Sequence, residues 1–135
     1  MKRWMCAVSV LLLSTGLAWG QSSKEELFQL KVVFGDKVSD FRVEKEGGVY
    51  FASYESNQSP ERGRVIPRSE VDFIITRLQS IQSQREPASS CSRKWVSASA
   101  RVKNGKVYQA SGCLGGNAPT SKGLTQLANL LATQF

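Results

Sequence analysis

The chain has 135 residues and a formal net charge of +7, from 18 Lys and Arg residues against 11 Asp and Glu residues, with three cysteines and no histidine. The absence of histidine excludes a Ser-His-Asp or Cys-His catalytic relay, an imidazole general base and a His-ligated zinc site. The length fits a single domain, and 41% hydrophobic with 21% charged residues is typical of a globular protein rather than a disordered one.

The start of the chain has the pattern of a secretory signal peptide. Residues 1–3 are a short basic start, residues 4–13 are an apolar stretch, and Ala18 and Gly20 supply small residues before a cut ahead of Gln21. A membrane anchor is the alternative, but a spanning helix needs about 20 predominantly apolar residues. Ser9, Ser14, Thr15 and Gly16 interrupt the apolar character of residues 1–20, so a signal peptide is the better interpretation.

We therefore predict that residues 1–20 are a signal peptide and that residues 21–135 form one small domain. The domain is expected in the periplasm or the extracellular space, with no membrane span after cleavage. Cleavage removes Cys6 and two positive charges, which leaves a net charge of 7 − 2 = +5 and two cysteines, Cys91 and Cys113.

In an oxidising compartment, Cys91 and Cys113 predict one disulfide. The closed loop of 23 residues gives a chain-entropy stabilisation of about 3.4 kcal/mol. There is no Cys-x-x-Cys redox spacing, and two sulfurs without histidine make a poor zinc site. No metal and no cofactor is predicted.

Three segments of the first half predict strands of an antiparallel meander. Residues 28–34 and 41–44 alternate between apolar and polar, and residues 49–54 are rich in β-forming residues. Residues 55–63 have a loop-forming composition, and residues 64–66 can add a short fourth strand.

Two amphipathic helices are predicted. Apolar side chains recur every three or four residues from Val71 to Ile81, behind a capping Ser69, and this helix is expected to end near Ser83. The second helix is expected to begin near Thr120 or Ser121. Its apolar stripe consists of Leu124, Leu127, Leu130, Leu131 and Phe135.

A hairpin lies between the two helices. Two alternating runs over residues 95–114 flank Asn104-Gly105, the strongest short hairpin signal. A two-residue turn would pair residues whose numbers sum to 209, so that Val96 faces Cys113 on the core side. The predicted fold class is therefore α+β: an antiparallel sheet, made of a three- to four-stranded meander plus a C-terminal hairpin, with two helices packed on one face.

The positive charge is concentrated at the end of the chain. Residues 21–86 carry ten positive and eleven negative side chains, whereas residues 87–135 carry six positive and none negative. The predicted register collects cations and aromatics on the hairpin face opposite the core. This predicted basic face consists of Arg93, Trp95, Arg101, Lys103, Lys106 and Tyr108. Such a face can bind phosphates, carboxylates or an acidic protein surface, and the alternative is a solvated face with Trp95 packed under the linker.

These observations predict an exported, disulfide-stapled binding protein that is not an enzyme. Its expected partner is an acidic protein surface or an anionic envelope component, and nucleic acid is not expected in an exported protein. The alternative is a protease-inhibitor-like protein whose loop over residues 55–64 presents Arg62 or Arg64 to a trypsin-like pocket. A third possibility is a carboxylate-based hydrolase. Its candidate carboxylates are Asp36, Asp40, Glu44 and Glu46.

Overall fold

The computed structural model describes residues 24–102 and 105–134, so the predicted signal peptide lies outside the described residues. The strands are β1 (Lys24–Phe34), β2 (Lys37–Glu46), β3 (Val49–Ser56), β4 (Ser59–Ile66), β5 (Lys94–Arg101) and β6 (Val107–Cys113). The helices are α1 (Arg68–Gln79) and α2 (Pro119–Thr133), and a 3₁₀ turn covers Ala88–Ser90. The predicted α+β class is confirmed, and the sheet is larger than the simplest three-stranded meander with a hairpin.

The six strands form one antiparallel sheet in the order β4-β3-β2-β1-β5-β6. Strands β1 to β4 follow one another as hairpins, which gives the four-stranded form of the predicted meander. The chain then passes through α1 and places β5 on the free side of β1. Strand β1 therefore lies between the meander and the hairpin and joins them into one sheet.

Residues 55–63 are not the loop that their composition predicts. They belong to the ends of β3 and β4, which are joined by a tight turn at Asn57. The side-chain Nδ2 of Asn57 donates to the Asp36 backbone carbonyl at 2.7 Å. The Asn57 side-chain Oδ1 accepts from the Val38 backbone N–H at 3.0 Å. The prediction from polar composition was wrong because β4 is an edge strand, in which residues 60–65 are exposed.

Both helices pack on the same face of the sheet. Helix α2 lies over β5 and β6, and α1 contacts β5 and α2. The buried core combines alternate residues of the strands with the inner faces of both helices. Its least exposed members include Phe28, Val43, Leu78, Val96, Leu124, Leu127 and Leu131.

The ends of α1 differ from the prediction. The helix begins at Arg68 with Pro67 as its N-cap and no side-chain cap, so Ser69 does not cap it. The Pro67 carbonyl accepts the backbone N–H of residues 70 and 71, at 3.0 and 3.3 Å. The helix ends at Gln79, before the predicted Ser83. Helix α2 begins at Pro119, one residue before the predicted start, and Phe135 lies outside the described residues.

The register of the β5–β6 hairpin is one residue away from the prediction. Trp95, not Val96, faces Cys113, and Arg101 faces Val107, so that paired numbers sum to 208. The connection is longer than an Asn-Gly turn, because the last hydrogen bond before it joins the backbones of residues 102 and 106 at 2.8 Å. A shift of one residue exchanges the faces of one strand. Cys113 therefore lies on the face away from the helices, and Tyr108 lies on the helix face.

Candidate functional site

The aromatic residues of the predicted basic face have structural partners. The Trp95 indole N–H donates to the Glu86 carbonyl at 2.8 Å, and the Ser111 hydroxyl donates to the same oxygen at 2.9 Å. Trp95 is half-buried beneath the segment that precedes the disulfide. Tyr108 lies on the other face, where its hydroxyl donates to the Ile81 carbonyl. Both aromatic side chains are therefore half-buried and held by hydrogen bonds to backbone carbonyls.

The described cations of the predicted basic face lie at opposite ends of β5. Arg93 precedes β5 and pairs with Asp36 at 3.7 Å, whereas Arg101 ends β5 and pairs with Glu25 at 3.5 Å. Eight residues of extended chain separate the two arginines by roughly 25 Å. Lys106 is exposed near Arg101, and Lys103 lies outside the described residues. The structure therefore does not bring the five described residues of this face together into one site.

The predicted disulfide between Cys91 and Cys113 is present, with 5.0 Å between the Cα atoms. It is compatible with an oxidising, exported location. A Glu86 carboxylate oxygen lies 3.4 Å from the Cys113 sulfur, so Glu86 and the two cysteines form a compact group. Because both sulfurs are bonded to each other, this group offers no thiolate to a metal ion. No helix of the described ranges is long and apolar enough to cross a membrane.

The two arginines of the proposed inhibitory loop lie on the edge strand β4 and point toward the helix side of the sheet. Arg64 pairs with Glu70 at 2.8 Å. The Arg62 guanidinium lies over the Tyr54 ring, 5.5 Å from its centroid. Both side chains thus contact neighbouring elements, β3 and α1, and are not presented at the tip of a protruding loop.

The four candidate carboxylates do not converge. Asp36 pairs with Arg93, Asp40 accepts a hydrogen bond from the Gln29 amide at 3.2 Å, and Glu44 pairs with Lys24 at 3.7 Å. Asp40 and Glu44 are four residues apart on β2, which separates them by roughly 13 Å. Pairs of catalytic carboxylates in glycosidases are about 5–9.5 Å apart. Asp36, Asp40 and Glu44 therefore have separate partners, and among the four candidates only Glu44 and Glu46, two residues apart on one face of β2, are close neighbours.

A groove on the helix side of the sheet has the composition of a ligand site. It has a volume of about 260 Å³ and lies between the C-terminal part of α2 and strands β1 to β3. Among the described residues, those that line it are Leu30, Val32, Phe34, Lys37, Ser39, Phe41, Tyr54, Leu114, Ala128, Asn129, Leu131 and Ala132. We call it the helix-side groove. Nine of these twelve side chains are hydrophobic and none is acidic.

Two lysines flank an exposed phenylalanine at the mouth of the helix-side groove. Phe34 pairs with Lys37 on β2 and with Lys94 on β5, so the three residues form one row on the same face. The Lys94 ammonium lies 5.4 Å from the centroid of the Phe34 ring. The ring is 55% exposed although it is a large hydrophobic side chain. We call Lys37 and Lys94 the lysine pair.

A third cation lies on the other side of the groove. Tyr54 lines the groove, and Arg62 covers its ring. The Tyr54 hydroxyl donates to the Ser39 hydroxyl at 3.1 Å, so these two polar groups satisfy each other inside the groove. The result is an apolar surface bordered by cations, two of which lie on aromatic rings.

Sequence reasoning did not identify the lysine pair or Phe34 as a site. Phe34 stands at the end of a predicted strand and Lys37 just after the turn, so their proximity was foreseeable. The position of Lys94 was not, because it depends on the pairing of β1 with β5, which are distant in sequence. The chemistry of the groove is apolar contact combined with attraction of negative charge. Comparisons of the chain with protein-family models, curated protein sequences and solved structures found no match.

Proposed function

We propose that the protein is a binding protein, not an enzyme, and that it holds a small amphipathic anion in the helix-side groove. The observation that carries this proposal is the lysine pair on either side of the exposed Phe34 ring, at the mouth of an apolar groove without acidic residues. The apolar part of the ligand would contact the groove, and its negative charge would lie near the lysine pair.

The charges around the groove favour an anion. Lys37, Lys94 and Arg62 form no ion pair with any described residue. The nearest part of β5 and the whole of α2 contain no Asp or Glu, since the last acidic residue of the sequence is Glu86. Two like charges at a distance of two strands, about 9.6 Å between Cα atoms, repel each other. An anion bound between them would remove that repulsion.

The proposal retains the anionic partner expected from the sequence, but it assigns the binding site to the helix-side groove instead of the hairpin face. The end of the hairpin around Arg101 and Lys106 is the competing surface. The inhibitor and hydrolase hypotheses stay predictions with less support, because Arg62 and Arg64 are held by contacts with Tyr54 and Glu70, and Asp36, Asp40 and Glu44 have separate partners. Export stays a proposal that rests on the signal-peptide pattern of residues 1–20, and the disulfide is compatible with it.

Titration with 1-anilinonaphthalene-8-sulfonate tests the proposal, because this dye is an amphipathic anion that fluoresces in apolar sites. We expect saturable fluorescence enhancement by the oxidised protein, weakened by salt. The double variant Lys37→Glu with Lys94→Glu should abolish it. The matched double variant Arg101→Glu with Lys106→Glu, which reverses the same charge, should leave it unchanged. Loss only in the hairpin variant, or no saturable binding, would overturn the proposal.

A further inference from the structure

We infer that the ligand of the helix-side groove is a free fatty acid, a single unbranched hydrocarbon chain that carries one carboxylate. This inference rests on the proposed function and adds the chemical class and the orientation of the ligand. The carboxylate lies between Lys37 and Lys94 above Phe34, and the hydrocarbon chain lies along the buried floor formed by Leu30, Phe41 and Leu131.

The floor of the groove cannot bind a peptide backbone. It is formed by β1, β2 and β3, which are interior strands with a hydrogen-bonded neighbour on each side. A peptide gains its main-chain hydrogen bonds from the free edge of a sheet. A peptide in this groove would bury amide groups without partners, which weakens binding strongly. A hydrocarbon chain has no such groups.

Apart from Lys37 at the mouth and Asn129, an exposed residue of α2, the polar side chains that line the groove are Ser39 and Tyr54. The hydroxyls of Tyr54 and Ser39 are bonded to each other, and Ser39 is only 8% exposed. The deep part of the floor is apolar, with Leu30, Phe41 and Leu131 each at most 3% exposed. A ligand with polar groups along its length would therefore find no partners there, whereas a ligand with a polar group only at its end needs none.

The size of the groove favours a slender ligand. Sites for drug-sized molecules have volumes of about 300–1,000 Å³, and this groove has about 260 Å³. One hydrocarbon chain needs less width than an amphipathic helix, which is about 10–12 Å across. The head group belongs at the mouth with the lysine pair, because two cations act there, whereas Arg62 acts alone at Tyr54.

Isothermal titration calorimetry of the oxidised protein with octanoate, decanoate and dodecanoate tests this inference. Each added methylene that the groove buries should tighten binding by about fourfold, until the groove is filled. Decan-1-ol, which has no charge, should bind more weakly than decanoate. The double variant Lys37→Ala with Lys94→Ala should remove that difference, whereas the control double variant Arg101→Ala with Lys106→Ala, which removes two cations that do not line the groove, should preserve it.

The outcomes separate the inference from the proposed function. Dye binding that depends on the lysine pair, together with affinities that do not change with chain length, would overturn the fatty-acid inference and leave the function standing. Tighter binding of an acidic peptide than of dodecanoate would overturn it in the same way. Absence of both dye binding and fatty-acid binding would overturn the two together. Circular dichroism spectra of the variants identify any loss that comes from misfolding.

Discussion

The ammonium group of Lys94 lies 5.4 Å from the centroid of the Phe34 ring, on the helix face of the sheet. This contact holds a cation over a large hydrophobic side chain that is 55% exposed. A cation over an aromatic face at an exposed site contributes about 0.5–1 kcal/mol, which is small for the fold. The pair is therefore better suited to present a charge and an apolar surface together to a ligand.

The first prediction concerns Phe34. Because the ring is exposed, Phe34→Ala should change the free energy of unfolding by less than about 1 kcal/mol, yet it should weaken dye and fatty-acid binding several-fold. Phe73 is a matched control, since it is 52% exposed on α1 and does not line the groove. Phe73→Ala should leave binding unchanged. Urea denaturation measures the stability, and equal loss of binding in the two variants would contradict the assignment of the groove.

A second prediction concerns a large side chain introduced into the groove from α2. Ala132 is an exposed residue of this helix that lines the groove, so the side chain of Ala132→Trp should occupy the ligand volume. We expect loss of dye binding with little change in thermal stability. Gln126→Trp, at an exposed position of the same helix that does not line the groove, controls for the added indole. Full dye affinity in Ala132→Trp would show that the ligand binds elsewhere.

The third prediction concerns the disulfide. Replacement of Cys91 and Cys113 by alanine removes a cross-link that closes a loop of 23 residues, and the free energy of unfolding should fall by about 3 kcal/mol. The groove should survive, because neither cysteine lines it. Urea denaturation of the oxidised protein and the double variant gives the difference. A change below about 1 kcal/mol would show that the bond does not constrain the unfolded chain as expected.

The fourth prediction concerns the turn after Cys91. Ser92 and Arg93 have φ angles of +49° and +63°, and the turn is closed by a bond from the Lys94 N–H to the Cys91 carbonyl at 2.9 Å. The left-handed region costs a residue with a Cβ about 1–2 kcal/mol. Glycine avoids this cost, but it also raises the conformational entropy of the unfolded chain, which offsets part of the gain in stability. Ser92→Gly should therefore stabilise the protein by about 0.5–1 kcal/mol.

A matched control for this turn is Ser89→Gly, at an exposed position of the 3₁₀ turn without positive φ. That substitution should lower the melting temperature, whereas Ser92→Gly should raise it. If both variants lose stability to the same extent, the positive φ of Ser92 does not strain the backbone. Differential scanning calorimetry of the two variants is sufficient for this comparison.

The elements that depend on local sequence were predictable. The period of two in β1, the period of about 3.6 in α1 and α2, and the Asn-Gly signal of the hairpin all correspond to observed elements. The prediction from local composition was wrong where an element is exposed. Strand β4 is polar because it is an edge strand, and the turn that joins it to β3 is bonded through Asn57 to the neighbouring β1–β2 turn.

The candidate site was the less predictable part, because it depends on registers and on contacts that are distant in sequence. One residue of extra turn length at the hairpin moves Tyr108 to the helix face and Cys113 to the opposite face. The concentration of positive charge after residue 86 is a feature of the sequence. The position of Lys94 beside Phe34 is not a feature of the sequence, because the β1–β5 pair arises only when the chain crosses the sheet through α1.

The position of the ligand is tested most directly by nuclear magnetic resonance of the ¹⁵N-labelled, oxidised protein during titration with decanoate. The proposed groove predicts that the largest amide shift changes lie around Phe34, Lys37, Tyr54, Lys94 and Leu131. The amides of Gln109 and Ser111 in β6, whose side chains lie on the helix-free face, should change little. Largest changes confined to the hairpin around Arg101 and Lys106, or no changes at all, would contradict the central claim.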